Sequence, residues 1–246
     1  MTETTVQEFR VGRVLARAWT VYMRNFVAFS AVSLVLLSPL LVIEMLWVTD
    51  VSADGDTDFI SLVDIMYALL NVLLTQLVTA TLVYGTIQEM RHQTTSTGEA
   101  LTRGIQLALP VVGVALIVGI LVGLASLLLI VPGIILSVMY WVAIPVAVVE
   151  RPGVFASLKR SVFLTKGYRW RIFGVMALLW LILILVIIGI GLILELSEAV
   201  QTYAFVNFVT TVVMTVIFAV VSAVGYHDLR LLKDGVDVET IAAVFD

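Results

Sequence analysis

All fourteen Lys and Arg residues of this 246-residue chain fall on one side of a single six-span topology. Arg10, Arg13, Arg17 and Arg24 precede the first apolar run, and Arg91 and Arg103 lie between the second and third. Arg151, Lys159, Arg160, Lys166, Arg169 and Arg171 lie between the fourth and fifth, and Arg230 and Lys233 follow the last. The alternate loops carry only acids: Asp50, Asp54, Asp56 and Asp58 in one, Glu195 and Glu198 in another. Basic segments resist translocation, so the Lys/Arg side is the cytoplasmic one and both termini are expected there. A chain that is 61% hydrophobic and 13% charged has more apolar surface than a soluble domain of its length can hide.

The spans follow from charge-free length. Asn25–Ile43 forms the first, ended by Glu44 and Trp47, and the second runs from about Phe59 to Gln88. Ile105 to Val149 is 45 residues without a charge, roughly 68 Å of helix and enough for two crossings of a ~30 Å core. Pro132-Gly133 is the strong breaker pair near its middle, so the hairpin is expected to turn there. The fifth span is about Ile172–Leu194 and the sixth about Ala199–Tyr226. Val51-Ser52-Ala53 looks like a leader cleavage site, but the apolar run before it is too long, so the first span is expected to be retained.

An internal pattern divides the chain into three. Leu15-Ala16-Arg17-Ala18, Leu101-Thr102-Arg103-Gly104 and Leu158-Lys159-Arg160-Ser161 each precede an odd-numbered span. Glu89, Glu150 and Asp228 each close an even-numbered one, with arginine close behind. The expected architecture is an all-α integral membrane domain spanning residues 1–246. It holds three parallel repeats of an amphipathic interfacial helix plus a two-span hairpin, at about 9–92, 98–151 and 153–231, with a cytoplasmic tail at 232–246. In the third interfacial helix Phe155, Leu158 and Val162 recur at helical spacing, and Gly167 is its expected stop. Arg17, Arg103 and Arg160 would meet Glu89, Glu150 and Asp228 at one depth and clamp the interfacial helices to the even spans, because unpaired charge near hydrocarbon is costly.

Two polar stripes stand out within the spans. Tyr67, Asn71, Thr75 and Thr79 share the pattern Y-A-x-x-N-x-x-x-T-x-x-x-T with Tyr203, Asn207, Thr211 and Thr215, and Asp64 extends the first stripe outward. Such a stripe should face protein or a cavity rather than lipid. Interhelical hydrogen bonding is the favoured account, because only Asp64 is ionisable; a polar pathway or headgroup groove is the other. Gly119-x-x-x-Gly123 with Ser126 reads as close helix packing. Lys159, Lys166, Arg169, Trp170 and Arg171 form a basic, aromatic cluster suited to anionic headgroups. Glu89-x-x-His92 has the spacing of half a di-iron site, but the second half is missing, so no metal and no cofactor are expected. There is no cysteine, no G-x-S-x-G, no H-E-x-x-H and no phosphate-binding glycine loop.

Trp141-x-x-x-Pro145, Glu150, Gly153, Ala156-Ser157-Leu158-Lys159-Arg160-Ser161 and Lys166-Gly167-Tyr168-Arg169-Trp170 resemble a bacterial pattern, as do Pro132-Gly133 and residues 226–235. The pattern is that of the membrane domain attached to some bacterial glycerophosphoryl diester phosphodiesterases, and of its stand-alone relatives. The resemblance is clearest over residues 132–173 and 225–237. It implies a six-span bacterial inner-membrane protein. In fused relatives the phosphodiesterase chemistry belongs to a separate soluble barrel, so the resemblance brings no catalytic residue to this chain. The leading expectation is therefore a non-enzymatic inner-membrane protein. It would bind membrane lipids, anionic ones foremost, or a membrane-protein partner through its cytoplasmic amphipathic collar, and no nucleic acid. The alternative is a transporter or channel for a lipid-like, amphiphilic substrate, and a membrane enzyme ranks last. A continuous cavity between the stripes would favour transport, and a closed apolar centre would favour binding or scaffolding.

Overall fold

A computed structural model describes residues 9–51, 62–91, 97–194 and 200–235. Among these the chain is helical and forms no strand. The order is α1 (Val11–Arg24), α2 (Phe26–Val51), α3 (Leu62–Met90), α4 (Thr97–Leu128), α5 (Ile130–Met139), α6 (Ala143–Val149), α7 (Val154–Thr165), α8 (Arg169–Leu194) and α9 (Val200–Asp234). Six segments are long and apolar enough to cross a membrane: α2, α3, α4, α5 with α6, α8 and α9. Helices suit that setting because each satisfies its own backbone groups.

Proline and glycine explain the interruptions. The hairpin between the third and fourth spans turns at Leu129 (φ −157°, ψ 140°), not at Pro132-Gly133. Pro132 instead sits in the first turn of α5, where its missing N–H costs nothing. Gly133 lets α5 lie against α4, since a Cβ there would fall 1.9 Å from Ser126 Oγ. The fourth span is then broken at Tyr140–Val142. Pro145 cannot donate to the Trp141 carbonyl and its ring would crowd it, so the helix restarts at Ala143 with Pro145 in its first turn. Gly153 (φ +92°) turns the chain into α7 and Gly167 (φ +92°) turns it out.

The expected second interfacial helix is not separate: residues 97–104 run straight into α4. Only α1 and α7 stand as short helices beside the bundle, α1 on α9 and α8, α7 on α6, α4 and α9. The core centres on α9, which touches α1, α2, α3, α6, α7 and α8. Helix α3 packs closely along α4, aided by Gly104, whose Cβ would fall 1.9 Å from Thr81 Oγ1. Helix α8 is the outlier. Ile172, Val175 and Leu179 anchor its first turns, and beyond Leu179 none of its described side chains is buried.

Candidate functional site

One end of the bundle gathers the basic residues. Arg17 donates to Asp228 at 2.7 Å, joining α1 to α9. Arg160 Nε reaches both Glu150 oxygens, at 3.0 and 3.2 Å, and its other arm bonds Asp234. Tyr226 Oη donates to the same Glu150 at 2.9 Å. Burial pulls the Arg160 guanidinium down, but hydrogen bonds and charge from Asp234 and Glu150 outweigh it, so its pKa lies above the usual arginine value. Arg103 and Glu89, the other members of the expected clamp, do not pair with each other. Arg103 bonds Gln106 at 3.3 Å, and Glu89 meets Arg24 at 3.7 Å. The geometry explains this: α1 is free to carry Arg24 across to α3, whereas Arg103 is fixed to the continuous helix α4.

Helix α7 docks by an inward polar face. Ser157, Leu158, Ser161, Leu164 and Thr165 are buried. Ser161 Oγ donates to the Met139 carbonyl at 2.9 Å and Thr165 approaches it at 3.4 Å, at the break between α5 and α6. Of the evenly spaced apolar residues, Leu158 is buried, Val162 half-buried and Phe155 exposed beside Lys159, and Phe163, Lys166 and Trp170 are exposed as well. Of the headgroup cluster, Arg171 is occupied with the Phe9 carbonyl at 2.8 Å, and Arg169 Nε is buried without a partner among the described residues. Gly119 and Gly123, expected to pack closely, meet no other side chain. His92 lies outside the described residues.

The two polar stripes converge on a cavity of about 530 Å³ between α3, α6, α8 and α9. Thr75, Gln76 and Thr79 line it from α3; Asn207, Thr210, Thr211, Thr215 and Ser222 line it from α9. Trp141 and Ile144 close one side, and Leu183 and Ile187 of the lightly held α8 close another. Asp64, Tyr67 and Asn71 do not line it; Asn71 instead accepts from Thr75 at 3.4 Å. The side chain of Tyr203 lies outside the described ones. Asn207 also donates to Glu44 of α2 at 2.9 Å. Gln76 and Thr210, absent from the repeated pattern, sit beside pattern residues that line the cavity; their sequence signal is a second polar residue next to a stripe threonine.

A second space of about 330 Å³ lies between α1, α8 and α9, lined by Leu15, Trp19, Tyr22, Leu179 and Ile182 among others, all apolar or aromatic. Met214 and Phe218 line both spaces, so they form the wall between them.

No family model matches the chain, and neither a curated protein nor a solved structure shows significant similarity to it.

Proposed function

We propose that this chain is a multi-pass membrane protein that binds and carries a lipid-like amphiphile, held by its polar part in the cavity between α3, α6, α8 and α9. The observation that supports the reading is the convergence of both stripes on about 530 Å³ of space, within the size range of small-molecule sites. Polar groups at that depth are costly unless they meet protein, water or a ligand. The outer half of α8, with no buried side chain beyond Leu179, is the wall that would yield to a ligand arriving from the bilayer. The lining residues include no ionisable side chain, so the wall offers no acid–base group for chemistry. In this reading the basic end is cytoplasmic, in a bacterial inner membrane as the family resemblance implies. The test is native mass spectrometry of protein purified in mild detergent. Wild type should retain an amphiphile that the cavity-filling Thr211→Leu variant loses while melting normally; equal retention would refute the reading.

A second reading concerns the outward face of α7. Lys159 and Lys166 project beside Phe155, Phe163 and Trp170, an arrangement that suits anionic headgroups at about 1 kcal/mol per charge. Neutralising Lys159, Lys166 and Arg169 together should lower retained anionic lipid, and unchanged retention would count against the collar.

A further inference from the structure

The cavity wall is polar but uncharged. The Thr79 hydroxyl donates to the Thr75 carbonyl at 2.7 Å, Thr210 to Val206 at 2.8 Å, and Ser222 to Ala219 at 3.0 Å. Each spends its only proton on its own helix and leaves oxygen lone pairs for the cavity. Gln76 Oε1 is buried and accepts no hydrogen bond among the described residues. The Asn207 amide gives one N–H to Glu44 at 2.9 Å and keeps a second. The wall therefore mixes these acceptors with donors, the second Asn207 N–H, the Trp141 indole and the Thr211 and Thr215 hydroxyls, and no lining side chain is charged.

That polarity selects a ligand. A phosphate or carboxylate would find no cationic side chain in the lining and would lie close to the Glu44 carboxylate. A cation would have Glu44 for a counter-charge, but that carboxylate lies outside the lining and is held by the Asn207 amide. What fits is an uncharged head bearing several hydroxyl donors. The neighbouring apolar space supplies the rest: it shares Met214 and Phe218 with the cavity and runs beneath Trp19 and Tyr22 at the basic end. Met214 is unbranched and adaptable, so a chain can pass where it lies.

Resting on the function proposed above, we infer that the ligand is a neutral, polyhydroxylated amphiphile, such as a glycerol or sugar monoester. Its head bonds the acceptors of α3 and α9, and its acyl chain lies past Met214 in the groove between α1, α8 and α9. Glu44 and Asn207 act as a filter against anions.

The test uses the full chain in mild detergent and three probes of equal chain length: a monoacylglycerol, a lysophosphatidylglycerol and an alkylamine. The monoacylglycerol carries a photoactivatable group at its chain end, and labelled peptides are mapped. Label should fall on Trp19, Leu179 or Ile182 and be displaced by unlabelled monoacylglycerol, with the two charged probes at least about tenfold weaker, or roughly 1.4 kcal/mol. Thr211→Leu, which narrows the head site, and Ile182→Trp, which fills the groove, should each weaken binding about tenfold with unchanged melting. Equal competition by either charged probe overturns the head assignment. Affinity indifferent to Ile182→Trp overturns the chain assignment. Should none of the probes bind while the copurified amphiphile persists in wild type and vanishes in Thr211→Leu, this inference fails and the carrier reading stands. Should that copurified species also be missing, the carrier reading itself fails.

Discussion

Glu150 joins three elements, and its removal tests whether the short helix α7 is clamped to the bundle. The carboxylate ends α6, takes Arg160 Nε from α7 at 3.0 and 3.2 Å, and takes Tyr226 Oη from α9 at 2.9 Å. The Glu150 and Arg160 side chains are 20% and 25% exposed, respectively. Glu150→Gln keeps the shape and an oxygen for Tyr226, but removes the charge and turns an amide N–H₂ toward a guanidinium. Charge-assisted hydrogen bonds contribute about 1.5–3 kcal/mol, and breaking a fully buried pair costs about 3–5. Partial exposure places this loss near the lower figure, about 2 kcal/mol. For a chain of this size that is a fall of roughly 4–8 °C in melting temperature. Arg160→Gln should cost at least as much, since it also gives up Asp234. The double variant should fall short of the sum of the singles by about 1–2 kcal/mol, because the second change breaks a pair already broken. Thermal unfolding in one detergent, followed by tryptophan fluorescence, measures all four proteins. Additivity within about 0.5 kcal/mol would refute the clamp.

Further outcomes follow from the same geometry. Arg17→Gln should destabilise more than Asp228→Asn, because the Arg17 side chain is 48% exposed and can turn to water, whereas the Asp228 side chain is 11% exposed and cannot; comparison of melting temperatures decides, and the reverse order refutes the asymmetry. Gly225→Ala puts a Cβ 2.2 Å from the Trp141 ring and should cost about 1–3 kcal/mol by overpacking. Gly119→Ala, which meets nothing within 4 Å, should be neutral or stabilising by about 0.5–1 kcal/mol. Gln76→Leu removes an unpaired buried acceptor and should raise melting in ligand-free detergent by the equivalent of about 1 kcal/mol while lowering amphiphile retention; a destabilised variant would mean the acceptor is satisfied. Single cysteines at Asp54 and Ser197, in a chain with none of its own, should react with an impermeant reagent on intact cells and one at Ser96 should not; the opposite pattern reverses the orientation.

The spans were legible because apolar length is a one-dimensional property, and six runs of sufficient length became six candidate spans. Their interruptions were less so. Pro145, not Pro132-Gly133, marks a break in the fourth span, and the turn at Leu129 uses an extended conformation open to any residue. The spacing of Phe155, Leu158 and Val162 does not mark one buried face of α7, since Leu158 is buried and Phe155 exposed. In water a helix buries its apolar stripe, whereas at a lipid boundary the protein interior is where hydroxyls find partners. Ser157, Ser161 and Thr165 therefore turn inward, and Phe155 turns out. The same ambiguity defeats glycine spacing. Gly104 and Gly225 sit against neighbours while Gly119 and Gly123 face outward, and nothing in a G-x-x-x-G string says which side holds protein.

The stripes were legible in sequence but serve the cavity unequally: Thr75 and Thr79 of the first line it, and Asn207, Thr211 and Thr215 of the second. A four-residue step advances about 400° on a helix of 3.6 residues per turn, so each step drifts by roughly 40°. From Tyr67 to Thr79 the stripe rotates by about a third of a turn; the α9 stripe drifts equally, yet Asn207 lines the cavity where Asn71 does not. The stripe of α9 lines the cavity from Asn207 through Thr215. The charge pairs show a related limit. Two pairs of the expected clamp form, each from a short helix to another element: Arg17 of α1 to Asp228 of α9, and Arg160 of α7 to Glu150 at the end of α6. The remaining members, Arg103 and Glu89, do not meet each other. A short helix can place its arginine on a neighbour only when a turn frees it from the helix that follows. Asn25 supplies that turn after α1 and Gly167 after α7, but residues 97–128 form one unbroken helix.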